Sequence, residues 1–346
     1  MSQYRILLVF GGESSEHDVS IRSARTILSG LSPQRYHVSL CYINRQGVWQ
    51  LVETIDQHTA DNLPQLTPQL GGGAFLIDGT TPLPIDVIFP ALHGAHGEDG
   101  TVQGMAALSH IACVGPSVLS AAVSMDKDMT KRLAAAAGVP VVPWRTLTRH
   151  DQQPSFEELA EQLGSPLFVK PCRAGSSIGV HKAQTAKELA QALASAFQQD
   201  STVLIEQAVD GREIELAVLG SSADSRVSTA GEIISSSDFY DYDSKYSRTS
   251  QSRIAIPAAL DPTILAALQE YTLTAYRAIN GQGMARVDFF VTANNRLFLN
   301  EINSIPGFTS ISMYPKLWQA AGVPLASLLD QLITQATLAN TPDPGV

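Results

Sequence analysis

The residue types with the clearest chemical potential lie between Arg286 and Gly307, where Asp288, Glu301 and Asn303 sit on two apolar runs that meet at Asn294-Asn295. Both runs alternate as strands do, and Asn tolerates the left-handed backbone of tight turns, so the stretch reads as a β-hairpin. With the turn centred on Asn294-Asn295, Ala293 pairs with Arg296, and counting back sets Asp288 opposite Glu301 and Arg286 opposite Asn303. Like charges in a direct cross-strand pair repel, so such a pair needs compensation. A hard divalent cation supplies it: Mg²⁺ takes carboxylate and amide oxygens and completes its shell with substrate phosphates. A register slipped by one residue would instead make Asp288 an ordinary solvated strand position.

Other residues could handle an anion. With Ser124 as a helix N-cap, Lys127 falls in the first turn, where the helix dipole disfavours a cation and a nearby anion would relieve it; Asp126 and Asp128 could also balance it. Lys170 lies on the apolar run Pro166 to Pro171, followed by Gly175-Ser176-Ser177-Ile178-Gly179. That pentapeptide matches the nucleophile elbow of serine hydrolases, a motif that needs a strand leading straight into a helix. Here Ile178 to Lys182 reads as a second strand, and a helix begins only after Thr185, which with Glu188 forms a capping box. The loop therefore joins two strands and can lie over phosphates, with N–H and hydroxyl groups exposed. Glu206 and Glu213, on and just beyond the run Val203 to Ala208, are candidates for the ribose and amide face of a nucleotide, or routine surface charge. Glu16, in the turn Gly11 to Asp18, could bind a substrate ammonium or simply complement a helix N-terminus. His93 and His96 lack further His or Cys at ligand spacing, so His93 reads as orienting a substrate or a neighbouring loop. Gly307 follows Pro306, and a glycine there lets a main-chain N–H approach a reacting oxygen.

The elements that must position these groups begin with a strand, Tyr4 to Phe10, a Gly-rich turn, and a helix from about Val19 to Leu31. This is a doubly wound α/β beginning, continued by strands at His37 to Ile43, Trp49 to Val52 and Ile85 to Ala91. Ligands of open α/β sheets sit at the carboxyl ends of strands, so the Gly11-Gly12 and His93 to Gly100 loops face one cleft. The glycines do not follow the dinucleotide fingerprint, which argues against a nicotinamide enzyme. Residues 53–82 look like an excursion, Ser117 to Gly138 is mostly helical, and Ile234 to Arg253 is a long polar loop with Tyr240, Tyr242, Lys245 and Tyr246, read as a lid. A helix spans about Pro262 to Ile279, and the last, about Pro324 to Ala339, looks structural.

The chain of 346 residues fits two or three domains. A net charge of −10 offers no long-range attraction for nucleic acid or an anionic membrane. Cys41, Cys113 and Cys172 are scattered, which suits a reducing cytoplasm. No apolar run is long enough to span a bilayer, and Ile6 to Phe10 reads as a first strand, without a signal peptide's cleavage region.

Taken in order, Gly11-Gly12 with Glu16, His93-Gly94 with Gly97-Glu98-Asp99-Gly100, Met125-Asp126-Lys127, Lys170-Pro171 with Gly175-Ser176-Ser177, Tyr240-Asp241-Tyr242 with Lys245-Tyr246, and Glu301-Ile302-Asn303 with Pro306-Gly307 resemble the D-alanine–D-alanine ligase family of ATP-grasp enzymes. The resemblance covers nearly the whole chain. It implies α/β and α+β architecture: an N-terminal doubly wound, pre-ATP-grasp domain (1–115) that binds substrate, then a two-subdomain ATP-grasp fold, central (116–208) and C-terminal (209–346), the last with the lid and metal site. It implies ATP-dependent ligation of two D-alanines through an acyl phosphate for peptidoglycan precursors, or a related ligase with D-lactate or D-serine as acceptor; Tyr246 favours an amino acid. Lys127, Lys170 and Ser177 would contact the phosphates, Glu206 and Glu213 the nucleotide, and Asp288, Glu301 and Asn303 two Mg²⁺ ions, with Mn²⁺ as substitute. Glu16 with Ser176 and Tyr246 would take the first D-alanine, Lys245 and Ser312 the carboxylate of the second, with His93 and Met313 also among the substrate-binding residues; Arg286 and Gly307 would meet the oxyanion. It also implies a cytoplasmic homodimer. Ala208 departs from the larger side chain that many relatives carry beside the adenine.

Overall fold

The computed structural model describes residues 3–176, 178–221, 224–234 and 253–339. The first lobe runs β1 (Tyr4–Gly11), α1 (His17–Gly30), β2 (Tyr36–Ile43), β3 (Trp49–Val52), β4 (Leu66–Gln69), β5 (Ala74–Ile77), β6 (Thr81–Pro84), β7 (Val87–Pro90), α2 (Thr101–Leu108) and β8 (Ala112–Cys113). Its main sheet has the order β3-β2-β1-β7-β8, with β1 parallel to both neighbours. A central parallel strand is covered on both faces, which is why Ile6 to Phe10 is uninterruptedly apolar and fully buried. The expected excursion at 53–82 is more ordered than its Pro and Gly content suggested: β4, β5 and β6 form an antiparallel sheet, and Phe75 stacks on Trp49. On α1, Ser20 accepts from the Gly11 N–H (2.8 Å) and donates to the Ala91 carbonyl (2.6 Å), tying the ends of β1 and β7 together.

The middle of the chain forms α3 (Val118–Met125), α4 (Lys127–Ala136), β9 (Trp144–Thr148), α5 (Phe156–Leu163), β10 (Leu167–Pro171), β11 (His181–Ala183), α6 (Ala186–Gln199) and β12 (Thr202–Gln207). Its four strands make the antiparallel sheet β11-β10-β12-β9. Ser124 is not an N-cap, contrary to expectation; it lies in the last turn of α3 and donates to the Ala121 carbonyl. Asp126 ends α3 and caps α4 by accepting from the Met129 N–H, because its carboxylate is a strong acceptor at the break itself. Lys127 is still the first residue of a helix. The loop after β10 leads to β11, and α6 starts only beyond Thr185, so the strand-to-helix elbow of a serine hydrolase is absent.

The last part comprises β13 (Arg212–Leu219), β14 (Arg226–Ile234), β15 (Arg253–Ala255), α7 (Pro262–Ala278), β16 (Met284–Val291), β17 (Leu297–Asn303), α8 (Met313–Ala320) and α9 (Leu325–Ala339), with sheet order β15-β14-β13-β16-β17. The β16–β17 turn is not the two-residue turn expected. Thr292 closes the loop by donating to the Arg296 carbonyl, and Asn295 alone is left-handed (φ 60°), so the loop is Ala293 to Asn295. That longer loop shifts the register to Val291–Leu297 and Phe289–Leu299. A bulge at Asn300 then shifts it back, and Asp288 faces Glu301 and Arg286 faces Asn303 as counted. Two one-residue offsets cancel.

The cores do not follow chain order. Ala134 of α4 and Val139 pack with the sheet around β13 and β16, while α8 and α9 join the core of the first lobe. α9 fits so closely against α1 that a Cβ on Gly30 would lie 2.7 Å from Leu329 Cδ1. Tyr36 donates to Asp330 (2.6 Å), which also pairs with Arg35. Leu329 is fully buried, so Leu329→Ala is expected to lower stability by about 3 kcal/mol in urea denaturation, through lost transfer energy and the remaining cavity.

Candidate active site

A cleft of about 1300 Å³ opens where the three parts meet, and every candidate residue that the structure describes lines it. Glu16 and His93 come from the first lobe, Lys127, Lys170, Ser176 and Glu206 from the middle, and Glu213, Arg286, Asp288, Glu301, Asn303, Gly307, Ser312 and Met313 from the last sheet and its connections. Ser177, Lys245 and Tyr246 lie outside the described residues.

Glu16 occupies the N-cap position of α1 but makes no cap hydrogen bond with its side chain. Instead its Oε1 accepts from the Ser176 hydroxyl. Gly175 makes this approach possible, since a Cβ there would sit 2.9 Å from Glu16 Oε2. His93 is buried beneath the same corner and lies 3.1 Å from Ser23 Oγ. Burial lowers its pKa, and so keeps the ring neutral, against the opposing pull of Glu16.

Beside them stands a carboxyl to which the sequence pattern assigns no role. Glu98 accepts from the Gly94 N–H at 2.7 Å, and burial first, then the charge of Glu16, push its pKa up to about 8. Nothing local in the sequence distinguishes it from its neighbour Asp99, since the shift arises from burial and from the distant Glu16.

At the other end of the cleft, Lys127 donates to the Ala174 carbonyl (2.8 Å) and lies 3.6 Å from Glu301. Neither neighbouring aspartate balances it. Asp126 caps α4 and accepts from Cys172 Sγ, while Asp128 accepts from Arg132, Trp144 and Thr146. Lys170 reaches Glu206 (2.7 Å) and Asn300 (3.3 Å). Glu206 is no surface charge: it is buried, and its second oxygen is 2.8 Å from the fully buried Lys131. Burial drives Lys131 down to about 8, while the two ammonium groups outweigh burial at Glu206 and hold its carboxyl below the usual range. Lys131 went unremarked in the sequence, although it lies one helical turn beyond Lys127 on the same face.

The acidic hairpin faces these lysines. Arg286 grips Asp288 with Nε and Nη2 (2.8 and 2.7 Å), and Asn303 donates to the same carboxylate (3.0 Å). β13 adds Glu215, paired across the sheet with Asp288 and 3.1 Å from Arg286 Nε. Burial works against the Arg286 charge, but Asp288 and Glu215 more than offset it, so the guanidinium stays protonated. Glu215 is invisible in the sequence because pairing with a distant strand leaves no local signal. No three His, Cys, Asp or Glu side chains converge on one point among the described residues. The donors at hand, two carboxylates and an amide, are hard oxygens that fit Mg²⁺ or Mn²⁺, with phosphate oxygens needed to complete a shell.

Near the last corner, a Cβ on Gly307 would lie 2.8 Å from Ser312 Oγ. Ser312 accepts from the Thr309 N–H (3.0 Å) and is the N-cap residue of α8. The Met313 side chain packs into the core, where its Sδ would meet a Cβ on Gly231 at 2.8 Å.

Raising a carboxyl from 4.5 to about 8 means that the folded chain holds a proton the unfolded chain has lost between those values, so stability falls as pH rises through that window. Glu98→Gln removes the effect. Its melting temperature should decline less than that of the wild type between about pH 5 and pH 8.5, and parallel curves would contradict the shift.

Comparison with known proteins gives consistent findings. The family description "D-ala D-ala ligase N-terminus" matches residues 5–116, and "D-ala D-ala ligase C-terminus" matches residues 133–334. A D-alanine–D-alanine ligase of Sodalis glossinidius is 46% identical over 96% of this chain and 94% of its own length. Among solved structures, the VanG D-Ala:D-Ser ligase of Enterococcus faecalis aligns with a TM-score of 0.88 at 34% identity, over 97% of this chain and 100% of the other. The D-alanine–D-alanine ligase of Bacillus anthracis complexed with ATP aligns with a TM-score of 0.75 at 27% identity, over 97% and 98%.

Proposed function

The chain belongs to the D-alanine–D-alanine ligase family, and we propose that its cleft takes ATP and two D-alanines to D-alanyl-D-alanine, ADP and phosphate through the roles set out below. The observation that carries these roles is the Ser176–Glu16 hydrogen bond. It ties the loop that would cover the phosphates to the carboxylate that would hold the first D-alanine, so one movement of that loop reaches both substrates.

The first D-alanine places its ammonium on Glu16, with Ser176 fixing that carboxylate. Its own carboxylate then points toward Lys127 and Lys170, whose ammonium groups receive the ATP phosphates and screen two anions that must meet. Asp288, Glu301 and Asn303 would hold two Mg²⁺ ions, or Mn²⁺, which when bound neutralise phosphate oxygens further. Glu206 and Glu213 flank the nucleotide, and Glu206 also sets the Lys170 ammonium. The second D-alanine lays its carboxylate at Ser312 and the start of α8, where the helix dipole favours an anion, and its amine attacks the acyl phosphate. The Gly307 N–H and Arg286 face the developing oxyanion, a contribution of about 3 kcal/mol per donor in comparable sites. A division of the chain into three parts near residues 115 and 208 fits these roles, with Glu16 on the first part, Lys127, Lys170 and Glu206 on the second, and Asp288, Glu301 and Asn303 on the third. By the same family reading, the dipeptide feeds peptidoglycan precursors, and the enzyme acts as a cytoplasmic homodimer. Among the described residues no helix is long and apolar enough to cross a membrane.

Two measurements test the reading. With Mg²⁺-ATP and D-alanine as the only amino acid, ADP release should accompany dipeptide formation, and L-alanine should be inert. Turnover only after D-serine or D-lactate is added would move the reading to a different acceptor. Glu301→Gln should lose at least about tenfold in turnover at saturating Mg²⁺, as loss of a ligand or its partner does elsewhere; an unchanged rate would remove Glu301 from the metal site.

A further inference from the structure

We propose that Ser23 is a positioning residue for this reaction: from the middle of α1 it fixes the main chain at Gly307, the oxyanion donor. The proposal rests on the reading of Gly307 given above. Ser23 is fully buried, and its Oγ stands between two groups from opposite lobes. The Phe308 N–H donates to it at 3.2 Å, and His93 Nε2 lies 3.1 Å away. With the Phe308 N–H donating to the oxygen, the hydroxyl proton is available to His93 Nε2, which sets the neutral tautomer with its proton on Nδ1.

Gly307 needs such a pin. Lacking a Cβ, it is the residue of its loop with the widest backbone freedom. Its N–H can stabilise an oxyanion only if that N–H is held in place before charge develops. The residues around it are fixed: Ile305 and Phe308 are buried, and the Phe308 ring packs edge-on against Phe89 of β7 at 6.3 Å. That ring contact leaves rotation of the Gly307–Phe308 peptide open. The Ser23 hydrogen bond closes it, one peptide away from the N–H that does the work. His93 is held in turn by its loop, since its carbonyl accepts from Ser14 Oγ at 2.7 Å. Ser14, Ser20 and Ser23 thus spend three hydroxyls of one segment on loops at the cleft.

The test compares wild type with Ser23→Ala and with Ser23→Thr, which keeps the hydroxyl. Steady-state kinetics for ATP and D-alanine are measured with the inhibition constant of a phosphinate dipeptide that mimics the tetrahedral adduct. For Ser23→Ala, kcat should fall about tenfold or more, the ATP KM should stay within about twofold, and the phosphinate should weaken by a factor like that in kcat/KM. Ser23→Thr should recover most of both losses. Phosphinate affinity unchanged in Ser23→Ala would overturn the proposal, as would a loss shared equally by ATP binding, which marks general damage. Should the alanine variant fail to fold, Ser23→Cys, close in volume and a weaker acceptor, carries the same expectation. Absence of dipeptide from the wild type would instead strike the ligase reading itself.

Discussion

One inserted residue in a β-ladder sets the geometry of the cleft. With the Ala293 to Asn295 loop and no bulge, Asp288 would face Asn300, and Glu301 would turn to the other side of the sheet. The bulge at Asn300 restores Asp288 to Glu301 and frees the Asn300 side chain to accept from Lys170. A single irregularity therefore sets the acidic pair and joins the middle sheet to the last one. Everything charged in the site then follows by neutralisation. Asp288 and Glu215 require Arg286, Glu301 draws Lys127, and Glu206 holds Lys131 and Lys170. In a buried cleft an unpaired member of this set would be strongly destabilising, so the residues constrain one another as a group.

The first lobe contributes through small polar side chains. Its parallel sheet presents strand ends at the cleft, as open α/β sheets do. α1 crosses behind those ends, and its buried serines hold loops that come from different parts of the chain. Serine suits this task because one hydroxyl both donates and accepts in little volume. Ser20 bridges two strand ends of its own sheet, whereas Ser23 reaches across to the other lobe.

Much of this was legible in the sequence, and the limits have physical causes. The alternation around Asn294-Asn295 marks the hairpin and the Asp288–Glu301 pairing, but not the three-residue loop or the bulge, because both depend on packing that no local pattern reports. β1 and the two-strand context of the Gly175 to Gly179 loop were readable because apolar runs and capping residues are local signals. Lys131, Glu98 and Glu215 were not singled out. Each draws its importance from burial and from a partner far along the chain, and a charged residue in sequence looks the same whether it ends in solvent or in a core. The cap on α4 was misplaced by two residues for a simpler reason: serine and aspartate both cap helices well.

The docking of α9 on the first sheet also has a temporal side. A chain made from its N-terminus completes β1, α1 and β7 early, but the core they share with Leu328, Leu329, Leu332 and Ile333 stays open until the last helix has left the ribosome. The middle sheet has a buried core that, among the described residues, is built between Leu147 and Ile205, so that core can close before the last sheet is made. Synthesis order and folding order thus diverge: β1, α1 and β7 precede the middle sheet in the chain yet wait for α9, with apolar surface that chaperones can occupy in the meantime.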